Sequence, residues 1–190
     1  MDANKAIEFI ALAYIYKNYF LMNLSVNDST KTVFEIVTNF LTKKKLAIAS
    51  FDDSRPWGGF FVLDESEANH FISIFFPHLT NAELNITGKL SPKILVVAPH
   101  KRLSWQYHYR RAEIWKLIGG QAAVMVSDND EENEIINLSK GDNIELKQGE
   151  RHRLIGTENW GIIAEIWRHT DANNPSDEND IVRVQDDFGR

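Results

Sequence analysis

Hydrophobic and polar residues change their spacing near residue 46, which divides the chain into a helical first part and a β-rich remainder. Before that point, apolar residues recur at the three- and four-residue intervals of an amphipathic helix. Asp28, Ser29 or Thr30 can cap this helix, and the lysines at its end suit a helix C-terminus electrostatically. We therefore predict a helix over 32–45 whose apolar side chains are Val33, Phe34, Ile36, Val37, Phe40 and Leu41.

Short runs of β-branched and aromatic residues follow, separated by turn-forming or charged residues such as the hairpin-tip stretch "SDNDEENE". Their spacing is typical of an antiparallel barrel or sandwich. The acidic tail predicts a last edge strand or a strap around Ile181, Arg183 and Gln185, or else a partly disordered terminus. We expect a helical extension over residues 1–50 and a barrel over 51–190. The predicted strand runs are "GGFFVL", "HFISIFF", "KILVVA", "LSWQYHY", "EIWKLIGG", "QAAVMV", "NEIINL", "DNIELKQ", "RHRLIG" and "GIIAEIWRH".

The apolar N-terminal stretch "AIEFIALAYIYKNYFLMNL" requires a separate interpretation. Glu8, Lys17 and Asn18 interrupt it, so the apolar run is too short to span a bilayer. A helix packed on the body or on a partner is preferred to a helix lying on a membrane surface. A third alternative is that translation starts at Met22, which would make the upstream residues dispensable.

Composition narrows the functional classes. The net charge of -6 and the pI near 5.5 argue against a nucleic-acid-binding surface covering the whole protein, so an anion site must be local. The chain has no cysteine, which excludes disulfides, thiolate metal sites and a thiol nucleophile. Any metal ligands must then be histidine, carboxylate or amide groups, and a reducing cytoplasm fits this composition.

The β-rich part contains four side chains of types that bind metals, at positions from which a strand and two turns would bring them together. On a strand, Gln106 and His108 point to one face, while Trp105 and Tyr107 point to the other. We expect a hairpin to fold Glu113 back toward His108, and a glycine turn at Gly149 to introduce His152. Two imidazoles, one carboxylate and one amide oxygen suit one divalent ion, Zn²⁺ first, with Co²⁺, Mn²⁺ or Fe²⁺ as alternatives. The proposed metal ligands are Gln106, His108, Glu113 and His152.

These residues carry a resemblance. The stretches "QYHYRRAE" and "GERH" resemble the two metal-binding motifs of the cupin superfamily. With "RPWGGF", "LSWQYHYRRAEIW" and "DENDIVRVQDDFGR", they resemble more closely the isomerase module of type II mannose-6-phosphate isomerases. The similarity covers roughly Arg55 to Arg190. It implies a mainly β, single cupin barrel of the jelly-roll type that uses a metal to interconvert mannose 6-phosphate and fructose 6-phosphate through an enediol.

The chain departs from the family pattern at two positions. Arg110 stands where the family usually has histidine, and Lys147 stands where it usually has proline. Neither residue is a proposed ligand, so these departures concern substrate preference. That module usually follows a mannose-1-phosphate guanylyltransferase domain. The upstream region here is too short for such a domain and has no glycine-rich nucleotide loop, so guanylyltransferase activity is not expected.

Candidate substrate contacts come from the densest basic cluster, Lys101, Arg102, Arg110 and Arg111, which we expect to bind the substrate phosphate. The alternative is a solvated edge that discourages strand pairing. The resemblance marks Arg111 as a substrate-binding and catalytic residue and Ser104 as a phosphate or sugar contact. It also places Arg55 and Trp57 at the barrel mouth. Candidates for the proton-transferring group are Lys101, Lys116 and Glu165.

Two other functional classes stay open. A non-catalytic cupin would use the same pocket to bind a sugar, and a metal cupin of another class, such as an oxygenase, would require redox-active iron. A homodimer formed through strand edges is compatible with the resemblance. The remaining histidines match no ligand position, and the tryptophans are expected to pack the barrel. These histidines are His70, His78, His100 and His169.

Overall fold

A computed structural model describes residues 22–80, 84 and 88–189. The interpretations of the stretch before Met22 therefore lie outside the described residues. Helix α1, Thr30–Lys43, is capped by Ser29, whose hydroxyl accepts a hydrogen bond from the N–H of Thr32 at 3.1 Å. Its buried side chains include Val33, Val37 and Leu41, at helical spacing. The helix predicted from the sequence is confirmed.

The β-rich part is an antiparallel sheet that curls into a barrel, as the sequence predicted. Strand β8 organises it, because its residues pair with β3 and β4 on one edge and with β5 on the other. The described strands are β1 (Ile48–Arg55), β2 (Gly58–Leu63), β3 (Lys93–Val97), β4 (Trp105–Tyr107), β5 (Arg111–Ser127), β6 (Ile136–Asn137), β7 (Asn143–Leu146), β8 (Arg151–His169) and β9 (Val182–Gln185).

The stretch "HFISIFF" was predicted as a strand, and that prediction is wrong. Ala68–Phe75 forms helix α2, which follows a 3₁₀ turn, Glu65–Glu67, capped by the Asp64 carboxylate. Phe71, Ile72 and Phe75 are buried at helical spacing. A short apolar run satisfies both periodicities, and the capping residue before it favours the helix.

Two pairs of predicted strands are each one long strand. "EIWKLIGG" and "QAAVMV" join in β5, and "RHRLIG" and "GIIAEIWRH" join in β8. Register shifts between Leu117 and Ala122 bend the β5–β8 ladder. Gly120 has a φ of 66° there, and a Cβ on it would lie 1.7 Å from the Trp160 carbonyl oxygen, so a side chain is excluded.

Two hydrophobic cores lie on the two faces of the curled sheet. The outer core joins α1 and α2 to the sheet through side chains such as Phe34, Phe61 and Ile162. The inner core fills one end of the barrel with Trp115, Leu117 and Leu154 among others. The side chains of the candidate site extend from this inner face. Among the described residues, no helix is long and apolar enough to cross a membrane.

Strand β9 confirms that the C-terminal tail adds a last edge strand, because it pairs antiparallel with β4. The barrel sheet begins at Ile48, three residues before the expected start of the barrel at residue 51. The segment between β8 and β9, residues 170–181, contacts the residues that follow β4 through the Asp180 carboxylate. It therefore forms part of the wall of the candidate site.

Candidate metal centre

The two cupin-like motifs meet through β4 and β8. Gln106 and His152 are direct cross-strand partners, so their side chains leave the sheet on the same face, and both are buried. The N–H of Gly149, in the turn before β8, donates to the His108 carbonyl at 2.9 Å. This bond fixes the second motif against the first.

Both histidines are oriented by backbone carbonyls. Nδ1 of His108 lies 2.5 Å from the carbonyl oxygen of Asp180, and Nδ1 of His152 lies 2.9 Å from that of Glu150. A carbonyl only accepts, so each Nδ1 carries the proton and each Nε2 of the neutral ring offers a lone pair. Nε2 of His152 is buried, and no group among the described residues forms a hydrogen bond with it. A buried imidazole nitrogen whose lone pair is not used in a hydrogen bond is suited to bind a metal ion.

Glu113 completes a three-residue cluster with these rings. Its Oε1 lies 3.1 Å from Nε2 of His108, and its Oε2 lies 3.5 Å from Nε2 of His152. The potential ligand atoms of the three residues lie within 4.8 Å of one another, and all three side chains are buried. The expected hairpin is wrong, since among the described strands β4 pairs with β8 and β9 and not with β5. Glu113 reaches His108 across the barrel interior instead.

The protonation states suit a divalent cation. Burial opposes ionisation of Glu113, but the charge of the His108 ring when it is protonated, together with the permanent charge of Arg111, outweighs burial and holds the pKa of this carboxyl well below its usual range. A divalent ion would take the place of the proton on His108. Burial lowers the pKa of His152 to about 4, so its ring is neutral near pH 7. An ionised carboxylate and neutral imidazoles are the ligand forms that divalent metals require. The residues present therefore fit a metal ion.

Gln106, the fourth proposed ligand, faces the same cavity as Glu113. Its Oε1 accepts a 2.6 Å hydrogen bond from the hydroxyl of Ser104, which fixes the amide orientation. The structure thus places Ser104 against a proposed ligand, inside the cavity where the sequence suggested a sugar or phosphate contact.

Arg111 lies beside the cluster and is buried. Its Nε donates to Oε1 of Glu113 at 2.7 Å, and its Nη2 lies 3.1 Å from Nε2 of His108. The guanidinium carbon lies 3.7 Å from the centroid of the Trp167 ring, and Nη1 donates to the hydroxyl of Ser176 at 2.9 Å. These contacts hold one cation over the proposed ligand atoms.

A cavity of about 400 Å³ opens beside this cluster. Apolar side chains, including Trp57, Phe60 and Leu95, line one part of it. The rest is polar and carries both signs of charge, which suits a hydroxylated ligand that also bears a charge. The charged and amide side chains that line it are Arg55, Lys93, Gln106, Arg111, Glu113, Glu165, Glu178 and Arg183.

Glu165 is a second buried carboxyl in the cavity. The indole N–H of Trp115 lies 2.9 Å from Oε1 of Glu165 and 3.1 Å from Oε2 of Glu113, so it joins the two carboxyls. Burial, together with the negative charge of Glu113, raises the pKa of Glu165 to about 8. Trp115 was expected only to pack the barrel, and it also bonds both acids.

The basic cluster of the sequence is divided in the structure. Lys101 is exposed, and Arg102 pairs with Asp187 through bonds of 2.6 and 3.0 Å. Arg110 bonds Asn174 and the Pro175 carbonyl, so it braces residues 170–181. None of these three residues lines the cavity, although Arg111 and Arg55 do.

Lys116 is also outside the cavity. It follows Trp115 on β5, so its side chain leaves the strand on the opposite face. Arg55 does lie at the cavity mouth, where it pairs with Asp52 at 2.8 Å and lies over the Phe60 ring. Of the candidates for the proton-transferring group, Glu165 is therefore the one that the cavity contains.

Sequence reasoning missed Asp180 and Lys93. The Asp180 carboxylate accepts 2.9 Å bonds from the N–H groups of Tyr109 and Arg110, directly after His108. Its position inside the C-terminal motif "DENDIVRVQDDFGR" was the available signal. Lys93 is a buried lysine at the start of an otherwise apolar strand, a signal that the sequence also contained.

Comparisons with known proteins agree with this architecture. The solved structure of the DMSP lyases RdDddP and RnDddQII matches with a TM-score of 0.51 and 13% identity, covering 80% of this chain and 70% of that chain. At such low identity, the match shows the fold alone.

Two curated relatives match the chain in sequence. The xanthan biosynthesis protein XanB of Xanthomonas campestris pv. campestris (strain B100) is 28% identical over 125 residues, which are 66% of this chain and 25% of that protein. The mannose-1-phosphate guanylyltransferase of Salmonella montevideo is 27% identical over 136 residues, which are 72% of this chain and 23% of that protein. The chain spans about a quarter of the length of these relatives.

A family model described as "Mannose-6-phosphate isomerase C-terminal" matches residues 64–186, more than half of the chain. The matched range contains both cupin-like motifs, the cavity strands β3, β5 and β8, and the segment that carries Asp180. The chain belongs to the mannose-6-phosphate isomerase C-terminal family and has its cupin barrel.

Proposed function

We propose that this protein is a metal-dependent aldose–ketose isomerase that interconverts mannose 6-phosphate and fructose 6-phosphate. One observation carries the proposal. A single cavity is lined by Glu113, which belongs to a buried cluster suited to a metal, and by Glu165, a second carboxyl that is not part of that cluster. An isomerase needs both, because the substrate oxygens must be held while a proton moves between adjacent carbons.

His108, Glu113 and His152, with Gln106 beside them, would hold the ion. A divalent metal there would bind and polarise the sugar oxygens that become the enediol. Zn²⁺ is the first ion to test, since imidazole and carboxylate ligands are common in its sites, and Co²⁺, Mn²⁺ and Fe²⁺ follow.

We assign proton transfer to Glu165. Its Oε1 is bound to the Trp115 N–H, so Oε2 is the oxygen assigned to the substrate. A carboxyl whose pKa is raised to about 8 by burial exchanges protons near neutral pH, which is the condition for efficient general acid–base catalysis. Glu113, whose pKa is lowered, stays ionised as a ligand. The two acids thus take different roles.

Arg111 would stabilise the charge that develops on the sugar oxygens. Its guanidinium is fixed by Glu113, Ser176 and the Trp167 ring, so little reorganisation is needed when substrate binds. Arginine suits this position because its planar group keeps its charge when buried and stacks on an aromatic face.

The test is a coupled assay of fructose 6-phosphate formation from mannose 6-phosphate. The purified protein is stripped with a chelator and then supplied with Zn²⁺, Co²⁺, Mn²⁺ or Fe²⁺ in turn. Activity that disappears with the metal and returns with one of them supports the proposal. Sugar binding by the metal-loaded protein, with neither turnover nor solvent-proton exchange at C2, would overturn it and favour a non-catalytic sugar-binding cupin.

A further inference from the structure

Lys93 occupies an unusual position for a lysine. Only 4% of its surface is exposed, and its ammonium lies 3.8 Å from the centroid of the Trp167 ring and 5.8 Å from that of Phe60. These aromatic contacts hold the charge in the cavity wall. Burying an ammonium is costly unless an anion accompanies it, so the partner of Lys93 matters.

The ion-pair partner of Lys93 is Glu178, an exposed side chain that another anion could replace. Its ammonium donates to Oε1 of Glu178, whose side chain is 68% exposed, against 6% for Lys93. Glu178 belongs to the segment between β8 and β9 and also lines the cavity. An exposed carboxylate loses little when it returns to water, because water solvates it well. A ligand anion could therefore replace it at modest cost.

The position of Lys93 relative to the metal cluster suits a ligand with two ends. Lys93 on β3 is the direct cross-strand partner of Glu165 on β8, which in turn is the partner of Trp115 on β5. Two strand spacings, about 10 Å, therefore separate the backbone of Lys93 from that of β5, which carries Glu113. That span is comparable to the length of a hexose phosphate. Arg55 and Arg183 line the same cavity and add positive charge.

We propose that Lys93 forms the phosphate subsite of the cavity and that the Glu178 carboxylate occupies this subsite until the phosphate group of the ligand displaces it. The proposal deepens the proposed isomerase function and rests on it for the identity of the sugar. It replaces Lys101, Arg102 and Arg110 as the phosphate contacts, since those residues lie outside the cavity.

The experiment measures binding, not turnover. Dissociation constants of inorganic phosphate, mannose 6-phosphate and mannose are determined by isothermal titration calorimetry on the metal-loaded wild type, Glu178→Gln and Lys93→Gln. Glu178→Gln removes the competing carboxylate. It should tighten the binding of phosphate and of mannose 6-phosphate by about twofold to fivefold, which corresponds to the strength of an exposed ion pair. Lys93→Gln should weaken both by about tenfold or more, the value of a hydrogen bond to a charged group. Mannose binding should not change.

Matched controls separate this effect from net charge and from folding. Glu134→Gln and Lys140→Gln remove the same charges at exposed positions that do not line the cavity. Thermal unfolding shows whether Lys93→Gln keeps its fold, and Glu178→Gln tests the same contact without altering a buried residue. Unchanged or weaker phosphate binding in Glu178→Gln, or a folded Lys93→Gln that binds phosphate like the wild type, would overturn the subsite.

The two proposals fail separately. If the protein does not isomerise mannose 6-phosphate but its phosphate binding responds to both substitutions as expected, the subsite stands and the sugar is wrong. If it isomerises mannose 6-phosphate and Lys93→Gln leaves phosphate affinity unchanged, the isomerase stands and the subsite is wrong.

Discussion

Nδ1 of His108 lies 2.5 Å from the carbonyl oxygen of Asp180, 72 residues further along the chain. The carboxylate of the same aspartate accepts the N–H groups of the two residues that follow His108 and the hydroxyl of Ser176. Asp180 therefore sets the tautomer and orientation of a proposed metal ligand through its backbone, and the path of the chain toward Arg111 through its side chain.

Replacing this carboxylate should damage both stability and the metal site. In Asp180→Ala, two partly buried backbone N–H groups and the buried hydroxyl of Ser176 lose their acceptor, and we expect a loss of roughly 2–4 kcal/mol in the free energy of unfolding. Metal affinity should fall between about tenfold and 100-fold, as for other outer-shell partners. Urea unfolding and metal titration measure the two effects. Asp53→Ala, at an exposed position on β1, is the control. Wild-type metal affinity in Asp180→Ala would show that this segment does not orient His108.

The metal cluster itself is tested by its two histidines. His108→Ala and His152→Ala should each abolish stoichiometric metal binding, because each removes one buried ligand from a cluster of three acidic and imidazole groups. The barrel should stay folded, since its sheet pairing does not depend on these side chains. Metal content by mass spectrometry and circular dichroism are the measurements. His78→Ala, an exposed histidine, should keep the metal. Full occupancy in both ligand variants would refute the site.

The candidate site divides into a part that strand alternation predicts and a part that it does not. The common face of Gln106 and His108 is what the two-residue period of a strand predicts, and both side chains are buried. The approach of Glu113 was expected for the wrong reason, because a local hairpin was assumed where β5 instead crosses the barrel and pairs with β8. Local patterns do not reveal which distant strands become neighbours.

The charged residues also show that the local sequence does not reveal which distant residues become neighbours. Lys101, Arg102, Arg110 and Arg111 are dense in the sequence, yet tertiary partners set the directions of the three arginines, such as Asp187 for Arg102. Lys93 stands alone in the sequence and enters the cavity because β3 pairs with β8 in the register that sets it opposite Glu165. In this protein, a single charge inside a buried strand was thus a better guide to which cations line the cavity than the density of charge along the chain.

Glu165 provides the sharpest test of the reaction. Glu165→Gln keeps the side-chain shape and an oxygen for the Trp115 N–H but cannot exchange a proton. We expect kcat for mannose 6-phosphate isomerisation to fall by about 10² or more, while bound metal and KM change little. Steady-state kinetics on metal-analysed protein make the measurement. Glu145→Gln, exposed on β7 and outside the cavity, is the control. An unchanged kcat would assign proton transfer to another group.

The segment between β8 and β9 should make stability depend on pH through His169. Nδ1 of His169 accepts a 2.9 Å bond from the Ser176 N–H, so the native ring is neutral. Burial, reinforced by the positive charges of Lys89, Arg111 and Arg110 and opposed by Asp180, lowers its pKa from 6.5 to about 4. Between these values, the unfolded chain binds more protons than the native protein. The contribution of His169 is therefore fully present above pH 6.5 and is lost as the pH falls toward 4.

A comparison of pH profiles isolates this residue from other groups that titrate in the same range. His169→Asn retains an acceptor for the Ser176 N–H but does not titrate, so its free energy of unfolding should decline less steeply from pH 6.5 to 4.5 than that of the wild type. Urea unfolding across this range provides both curves, with His78→Asn as the exposed control. Parallel curves for wild type and His169→Asn would mean that His169 is protonated alike in the folded and unfolded chains. Arg111 shares Ser176 with His169, so a steeper loss in the wild type would also link acid sensitivity to the wall of the cavity.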